Sequence, residues 1–485
     1  MYCSGVYEMD YPKIIQGGMG VAVSNYKLAR AVSSQGQLGV VSGTMLDTIL
    51  ARRLMDGDPN GDVRRATAQY PDREFSDLIV EAYFQNQGRS SSQLYQLLPM
   101  HTLKSSDYLC DVTIVANFVE VLLAQEGHKG KVGINFLTKI DLPTLPSIFG
   151  AMLAGVDYIL MGAGIPKTIP GIIDKLSKME PVSLKLDVEG ALPEDDFVVQ
   201  FDPRKYVPNL SSLKRPQFIA IVSSATLAQA LIKKSTGTID GFIVEHHSAG
   251  GHNAPPRGGI NLDEAGEPVY GPKDEADLEA FRRLGKPFWL AGSYASPEKL
   301  EKAIAAGAAG IQVGTAFAFC QESGIRDDVK RRVIENVLSG RANVFTDPVA
   351  SASGYPFKVV ELDETLSEEQ VYKARTRVCD LGYLRSAYRR GDGTVGFRCP
   401  GEPVASYVSK GGRIEDTVGR KCLCNGLVST VGYAQERKDG YCEPPLVTAG
   451  KDIASIAKLI SPGKLSYSAR DVLNYLLEDP LPQSQ

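Results

Sequence analysis

Short runs of apolar, largely β-branched residues recur along the chain. Each is followed by a glycine- or serine-bearing turn and then by a stretch with helical spacing of apolar positions. The first unit is Ile14-Ile15-Gln16, the turn Gly17-Gly18-Met19-Gly20, and a helix over 25–33 with Ser24 as its N-cap. Further strands are predicted over 38–41, 132–136, 158–161, 218–222, 241–245, 288–291 and 310–313. Each is a continuous apolar run, the pattern of parallel strands buried on both faces. Eight such units predict an α/β chain closed into a (β/α)8 TIM barrel.

Three stretches interrupt the rhythm. Residues 45–130 read as a mostly helical insertion after strand two, ending in the apolar run 113–123. Residues 181–205 carry two strand-like runs, 182–188 and 197–201, and read as an inserted hairpin; the rival layout makes one of them a barrel strand. Past 345 the strand–helix alternation stops. The domain organisation expected is therefore a barrel over 1–345 and a C-terminal extension over 346–485 packed on it. That extension is expected to be helical near 367–374, 452–459 and 469–477, with a frayed end at 479–485.

Charge narrows the function classes. Lys and Arg number 53 against 57 Asp and Glu, a net charge of −4, which leaves no basic footprint for a nucleic-acid backbone. Residues 1–10 lack the basic and apolar regions of a signal peptide. The charge-free stretch 303–320 holds three glycines and Gln312, and reads as helix end, turn and buried strand rather than a membrane span. Eight scattered cysteines in a long chain are no disulfide framework, so a reducing, cytoplasmic setting is expected. Cys422-Leu423-Cys424 has the form of a metal or redox pair, but the spacings fit no zinc pattern and the cysteines read as buried and structural.

In a barrel the chemistry belongs at the C-terminal ends of the strands. After strand one, Gln16-Gly17-Gly18-Met19 would let backbone approach a flat ligand. After strands seven and eight, Ala291-Gly292-Ser293-Tyr294 and Gln312-Val313-Gly314-Thr315 are small-residue loops suited to a phosphate. After strand six comes Glu245-His246-His247-Ser248-Ala249-Gly250-Gly251-His252, with three of the chain's five histidines. His252, behind two glycines, is the expected proton-transfer residue. Glu245 and the histidines are metal-ligand types, but adjacent strand residues point to opposite faces, so no metal is expected.

These motifs together resemble the nitronate monooxygenase family, formerly the 2-nitropropane dioxygenases. They are Ile-Ile-Gln-Gly-Gly-Met-Gly, the Gly-Ile-Asn of strand three, Ala-Gly-Gly-His after strand six and Gln-Val-Gly-Thr-Ala-Phe at strand eight. The superfamily also holds flavin-dependent enoyl-acyl-carrier-protein reductases, and the resemblance spans about residues 13–320. It implies an FMN enzyme that oxidises alkyl nitronates with dioxygen. By position, Gln16, Gly17, Gly18 and Met19 would line the flavin ring and Asn135 would lie near it. Gly250 and Gly251 would precede the catalytic His252. Gly292 and Ser293 would form one phosphate loop, and Gln312, Gly314 and Thr315 the second, with the Thr315 hydroxyl and N–H both on the phosphate. FMN is expected rather than FAD, because no Gly-x-Gly-x-x-Gly turn is present for a pyrophosphate.

The sequence also departs from the family. His246 stands where the family's usual glycine follows the strand-six Glu, and His247 comes next. The insertion and extension resemble a longer subgroup, some of whose relatives work beside polyketide or polyunsaturated fatty-acid synthases. The alternative function is therefore an NAD(P)H-dependent enoyl-acyl-thioester reductase. A non-catalytic barrel is disfavoured by the retention of His252, Gln16 and both phosphate loops. The expected partner is a small-molecule substrate, nitronate or enoyl thioester, without nucleic acid or membrane; a homo-oligomer is left open.

Overall fold

The structure, a computed structural model, describes residues 11–90 and 93–478. The expectations for residues 1–10 and 479–485 lie outside the described residues. Eight parallel strands close a barrel: β1 (Ile14–Gln16), β2 (Leu38–Ser42), β3 (Val132–Leu137), β4 (Tyr158–Gly162), β5 (Gln217–Val222), β6 (Gly241–Glu245), β7 (Phe288–Ala291) and β8 (Gly310–Val313). Each strand pairs with its sequence neighbour, and β8 closes on β1 through Ile14↔Ile311 and Ile15↔Gln312. The fold is a TIM barrel.

Alternation along the strands sorts the side chains into two layers. Ile15, Leu38, Val40, Leu160, Ile219, Ile243 and Trp289 fill the interior, while Ile14, Val41, Ile134, Ile159, Phe242 and Ile311 pack outward under the helices. Trp289 Nε1 donates to the carbonyl of Pro12 at 2.8 Å. The same parity aims Asn135, Glu245 and Gln312 inward at the top of the barrel and sends Gln16 outward.

The first helix is Tyr26–Ser33, and its N-cap is Asn25, which accepts from the Leu28 N–H at 3.0 Å. Ser24, the expected cap, instead accepts from the Met19 N–H at 3.0 Å and donates to the Gly17 carbonyl at 2.9 Å, which folds the turn after β1 back on itself. Between β2 and β3 lie helices Leu46–Met55, Asp62–Thr67, Arg73–Tyr83 and Asp107–Gln125. The last is apolar on nearly every face, as a helix packed on several sides must be. A Cβ at Gly150 of helix Thr144–Leu153 would lie 2.2 Å from the Ile114 carbonyl oxygen, so glycine sets how closely these two helices approach. Strands Val182–Lys185 and Val198–Phe201 pair antiparallel outside the barrel.

Beyond β8 the chain holds more strand than the sequence pattern predicts. Val344–Asp347 pairs with Phe357–Val360, and Ser386–Arg389 with Val395–Arg398. These short strands alternate weakly and interleave with turns, which hides their period. No helix among the described residues is long and apolar enough to cross a membrane.

Candidate active site

One cavity opens at the C-terminal ends of the barrel strands. Gly17, Gly18, Met19, Asn135, Gly250, Gly251, His252, Gly292, Ser293, Gln312, Gly314 and Thr315 all line it. The first-strand turn, the strand-six glycines and the loops after β7 and β8 therefore converge on one space. Close approach is built in. A Cβ on Gly18 would lie 2.4 Å from the Asn135 Cβ, and one on Gly292 would lie 2.9 Å from the His246 carbonyl oxygen. Gly292 and Ser293 both take left-handed φ, 97° and 59°. For Ser293 that conformation costs about 1–3 kcal/mol, the sort of strain that clusters at ligand sites.

Gln16 is the exception. Parity turns it out of the barrel, where it is fully buried and bridges to β2. Its Oε1 accepts from the Val40 N–H at 3.1 Å, and its Nε2 donates to the Val40 carbonyl at 3.2 Å and to Ser24 Oγ at 2.9 Å. It braces the turn that carries Gly17 and Gly18, and it is absent from the cavity wall. Gln312, turned inward, behaves oppositely: its buried Oε1 has no hydrogen-bond partner.

His252 Nε2 is 2.7 Å from Ser351 Oγ, and Phe357 packs edge-on against the ring at 4.9 Å. Nδ1 makes no hydrogen bond within the described residues and is left to the cavity. Burial pushes the imidazole down to about 4, so it is neutral at neutral pH. Glu245, which the sequence reading weighed only as a metal ligand, also lines the cavity. Burial pushes its carboxyl up to about 7, with Lys358 pulling the other way. The inward parity of β6 is the sequence signal that could have singled it out.

The extension supplies the remaining wall. Gly251 N–H donates to Thr448 Oγ1 at 2.9 Å, Lys451 N–H to the Ser248 carbonyl at 3.0 Å, and Gly450 N–H to Thr315 Oγ1 at 2.8 Å. Thr315 also hydrogen-bonds Asp452. Its hydroxyl is thus committed to the extension, against the expectation that it would face a phosphate. Tyr383, Leu384, Leu423, Leu427 and Leu446 complete an apolar side.

The geometric argument against a shared ion at His246 and His247 fails. β6 ends at Glu245, so the two histidines follow it in a turn and do not alternate. Their rings lie 3.9 Å apart, and His247 stacks on Tyr270 at 4.1 Å. Nitrogens of both and a carboxylate oxygen of Glu275 fall within 4.8 Å of one another.

Comparison with known proteins places this geometry. Residues 184–384 match the nitronate monooxygenase family. The match takes in β5 to β8, His252 and the loops after β7 and β8, and leaves β1 to β4 outside. That segment is under half of the chain, and its likeness is to a family of oxidoreductase enzymes. A curated relative is 26% identical over 245 residues, covering 47% of this chain and 64% of its own length. It is the (3aS,4S,5R,7aS)-5-hydroxy-7a-methyl-1-oxo-octahydro-1H-indene-4-carboxyl-CoA dehydrogenase of Mycobacterium tuberculosis (strain ATCC 25618 / H37Rv). The match spans less than two thirds of that relative. Among solved structures, FabK from Thermotoga maritima is similar at 14% identity and a TM-score of 0.44, covering 97% of this chain and 93% of that one. Nitroalkane oxidase from Streptomyces ansochromogenes is similar at 15% and 0.46, covering 97% and 95%. The enoyl reductase domain of MlnA from the Bacillus amyloliquefaciens macrolactin cluster is similar at 11% and 0.48, covering 96% and 92%.

Proposed function

We propose that the chain is an FMN-dependent enzyme that oxidises alkyl nitronates with dioxygen. The observation that carries this reading is the convergence, in one barrel-mouth cavity, of glycine backbone from four loops with a neutral, ring-locked His252. The residues fit a flavin: Gln312 offers a buried acceptor with no protein partner, and Gly17 and Gly18 line the cavity wall with backbone alone. The backbone at Gly292-Ser293 and Gly314-Thr315 would hold the single phosphate of FMN. When bound, FMN would take electrons from the substrate and deliver them to dioxygen.

The protein's own part is positional and acid–base. For a neutral nitroalkane, the proton on the carbon beside the nitro group passes to His252 Nδ1, leaving the nitronate anion. Ser351 holds Nε2 so that Nδ1 keeps facing the cavity. The apolar side from Tyr383 to Leu446 would exclude water from the reacting carbon.

The experiment is the absorbance spectrum of the purified protein, the identity of the cofactor released on heating, and anaerobic titration with a nitronate. FMN that is bleached by the nitronate and recovers in air is the expected result. Released FAD, or a flavin indifferent to nitronates, overturns the reading.

A second reading, oxidoreduction of an acyl thioester with NAD(P)H as donor, is favoured by Glu245. A carboxyl that titrates near 7 inside the cavity could supply a proton to a substrate carbon. The name of the curated relative, a carboxyl-CoA dehydrogenase, lends it support. Rapid anaerobic bleaching of the flavin by NADPH, followed by reoxidation with an enoyl thioester, would favour it over nitronate oxidation.

A further inference from the structure

Four cysteines far apart in the extension come together around one small cavity: Cys379, Cys399, Cys422 and Cys424. Cys379 lies between helix Glu369–Ala374 and strand Ser386–Arg389, Cys399 directly follows strand Val395–Arg398, and Cys422 caps helix Leu423–Thr430. All four are free thiols, and none is exposed. We propose that these four cysteines hold an iron–sulfur cluster.

Three features favour a cluster over a single ion or a packing role. The first is spacing. With Zn–S bonds of about 2.3 Å, one zinc would draw its four sulfurs within roughly 4 Å of one another. Among the described residues, only His246, His247 and Glu275 place three donor atoms within 4.8 Å of each other, so no three of these sulfurs are that close. Yet Cys379 is hydrogen-bonded to Cys399 and lies near enough to Cys422 and Cys424 to act on each electrostatically. Sulfurs spread around a common centre suit a body of several atoms, which four thiolates hold in iron–sulfur proteins.

The second feature is the donors aimed at the sulfurs. Asn425 Nδ2 donates to Cys422 Sγ at 3.5 Å, and the Asn425 backbone N–H also serves Cys422. The N–H groups of Tyr383 and Leu384 serve Cys424. Arg385 lies beside Cys379, Cys399 and Cys424. N–H···S bonds and nearby positive charge are what stabilise a thiolate-bound cluster and set its potential.

The third feature is location. Leu384, Leu423 and Cys424 line both this small cavity and the barrel-mouth cavity. The cluster would sit one residue layer from the space assigned to the flavin, as a one-electron centre beside a two-electron cofactor.

The test is independent of the substrate reading. The full chain is purified anaerobically and assayed for iron, acid-labile sulfide and zinc. It is then reduced with dithionite and examined by electron paramagnetic resonance. Iron and sulfide in equal amounts, as a two-iron or four-iron cluster requires, and a paramagnetic signal on reduction are expected. Cys399→Ser and Cys422→Ser should lose most of the iron, while Cys442→Ser, outside the group, should keep it. Because the first two variants could misfold, the parent decides. Zinc without sulfide, or no iron both as isolated and after anaerobic reconstitution with ferrous iron and sulfide, overturns the proposal.

Discussion

His252 Nε2 and the hydroxyl of Ser351 lie 2.7 Å apart, so a side-chain hydrogen bond ties the imidazole of the loop after β6 to the C-terminal extension at the rim of the cavity. Ser351 is fully buried, and its Oγ also meets Ser353 Oγ at 2.8 Å. The main chain repeats the link: Asn253 N–H donates to the Pro356 carbonyl and Lys358 N–H to the Gly251 carbonyl, both at 2.9 Å. The extension thus sets the orientation of the proposed proton acceptor.

Ser351→Ala should loosen that ring without removing it. The loss of one hydrogen bond, worth about 1 kcal/mol, should lower kcat on a neutral nitroalkane by roughly five- to tenfold and leave KM near the parent value. Steady-state kinetics check this; an unchanged kcat would mean that Phe357 alone orients the imidazole.

His252→Asn should lose about 10²–10⁴-fold in turnover on neutral nitroalkanes, the usual contribution of a positioned base. A preformed nitronate has no proton to give up, so its oxidation should suffer far less. Oxygen-uptake rates on the two forms of one substrate distinguish the outcomes. Equal losses would leave His252 a positioning residue only.

The buried acid and base bend stability with pH in opposite senses. Glu245 is raised from 4.5 to about 7, so the folded state holds its proton more tightly and stability falls as pH rises through that interval. His252 is lowered from 6.5 to about 4, so the unfolded state takes up the proton first and stability falls as pH drops through that range. Glu245→Gln, which cannot ionise, should therefore melt a few degrees above the parent at pH 8. The difference should vanish below pH 4. Thermal melts across pH 4–8 test the sign, and equal melting at pH 8 would show that the carboxylate is not penalised.

Thr315→Val removes the acceptor of the Gly450 N–H and the bond to Asp452. Leaving a buried N–H unpaired costs about 1–3 kcal/mol, so the variant should melt lower even after its flavin is stripped. A melting temperature that drops only in the flavin-loaded form would return the hydroxyl to the phosphate.

The barrel was legible because its signal is local. β1, β6, β7 and β8 have the bounds their apolar runs predict, and the other strands differ by one residue at one end. Continuous Val, Ile and Leu runs followed by small-residue turns need no knowledge of partners to be read. The same locality brought the glycine loops and His252 to one rim, since strand ends in a closed parallel barrel share an edge. Parity decides Gln16: Ile15 points into the barrel, so its neighbour points out and away from the cavity. For the histidine pair, one residue of strand length decides between alternation and a turn, and the strand ends at Glu245.

What the sequence by itself determined, then, is the parallel barrel and the side chains that its strand ends deliver to one mouth, because period and turn chemistry act over a few residues. Tertiary structure alone decided what closes that mouth. Ser351 meets His252 across 99 residues and Gly450 meets Thr315 across 135, and the four cysteines gather from 379 to 424, Cys424 on a helix and the others on irregular chain. Such contacts follow from how irregular chain packs against a finished barrel, and no local pattern of apolar and polar positions encodes them.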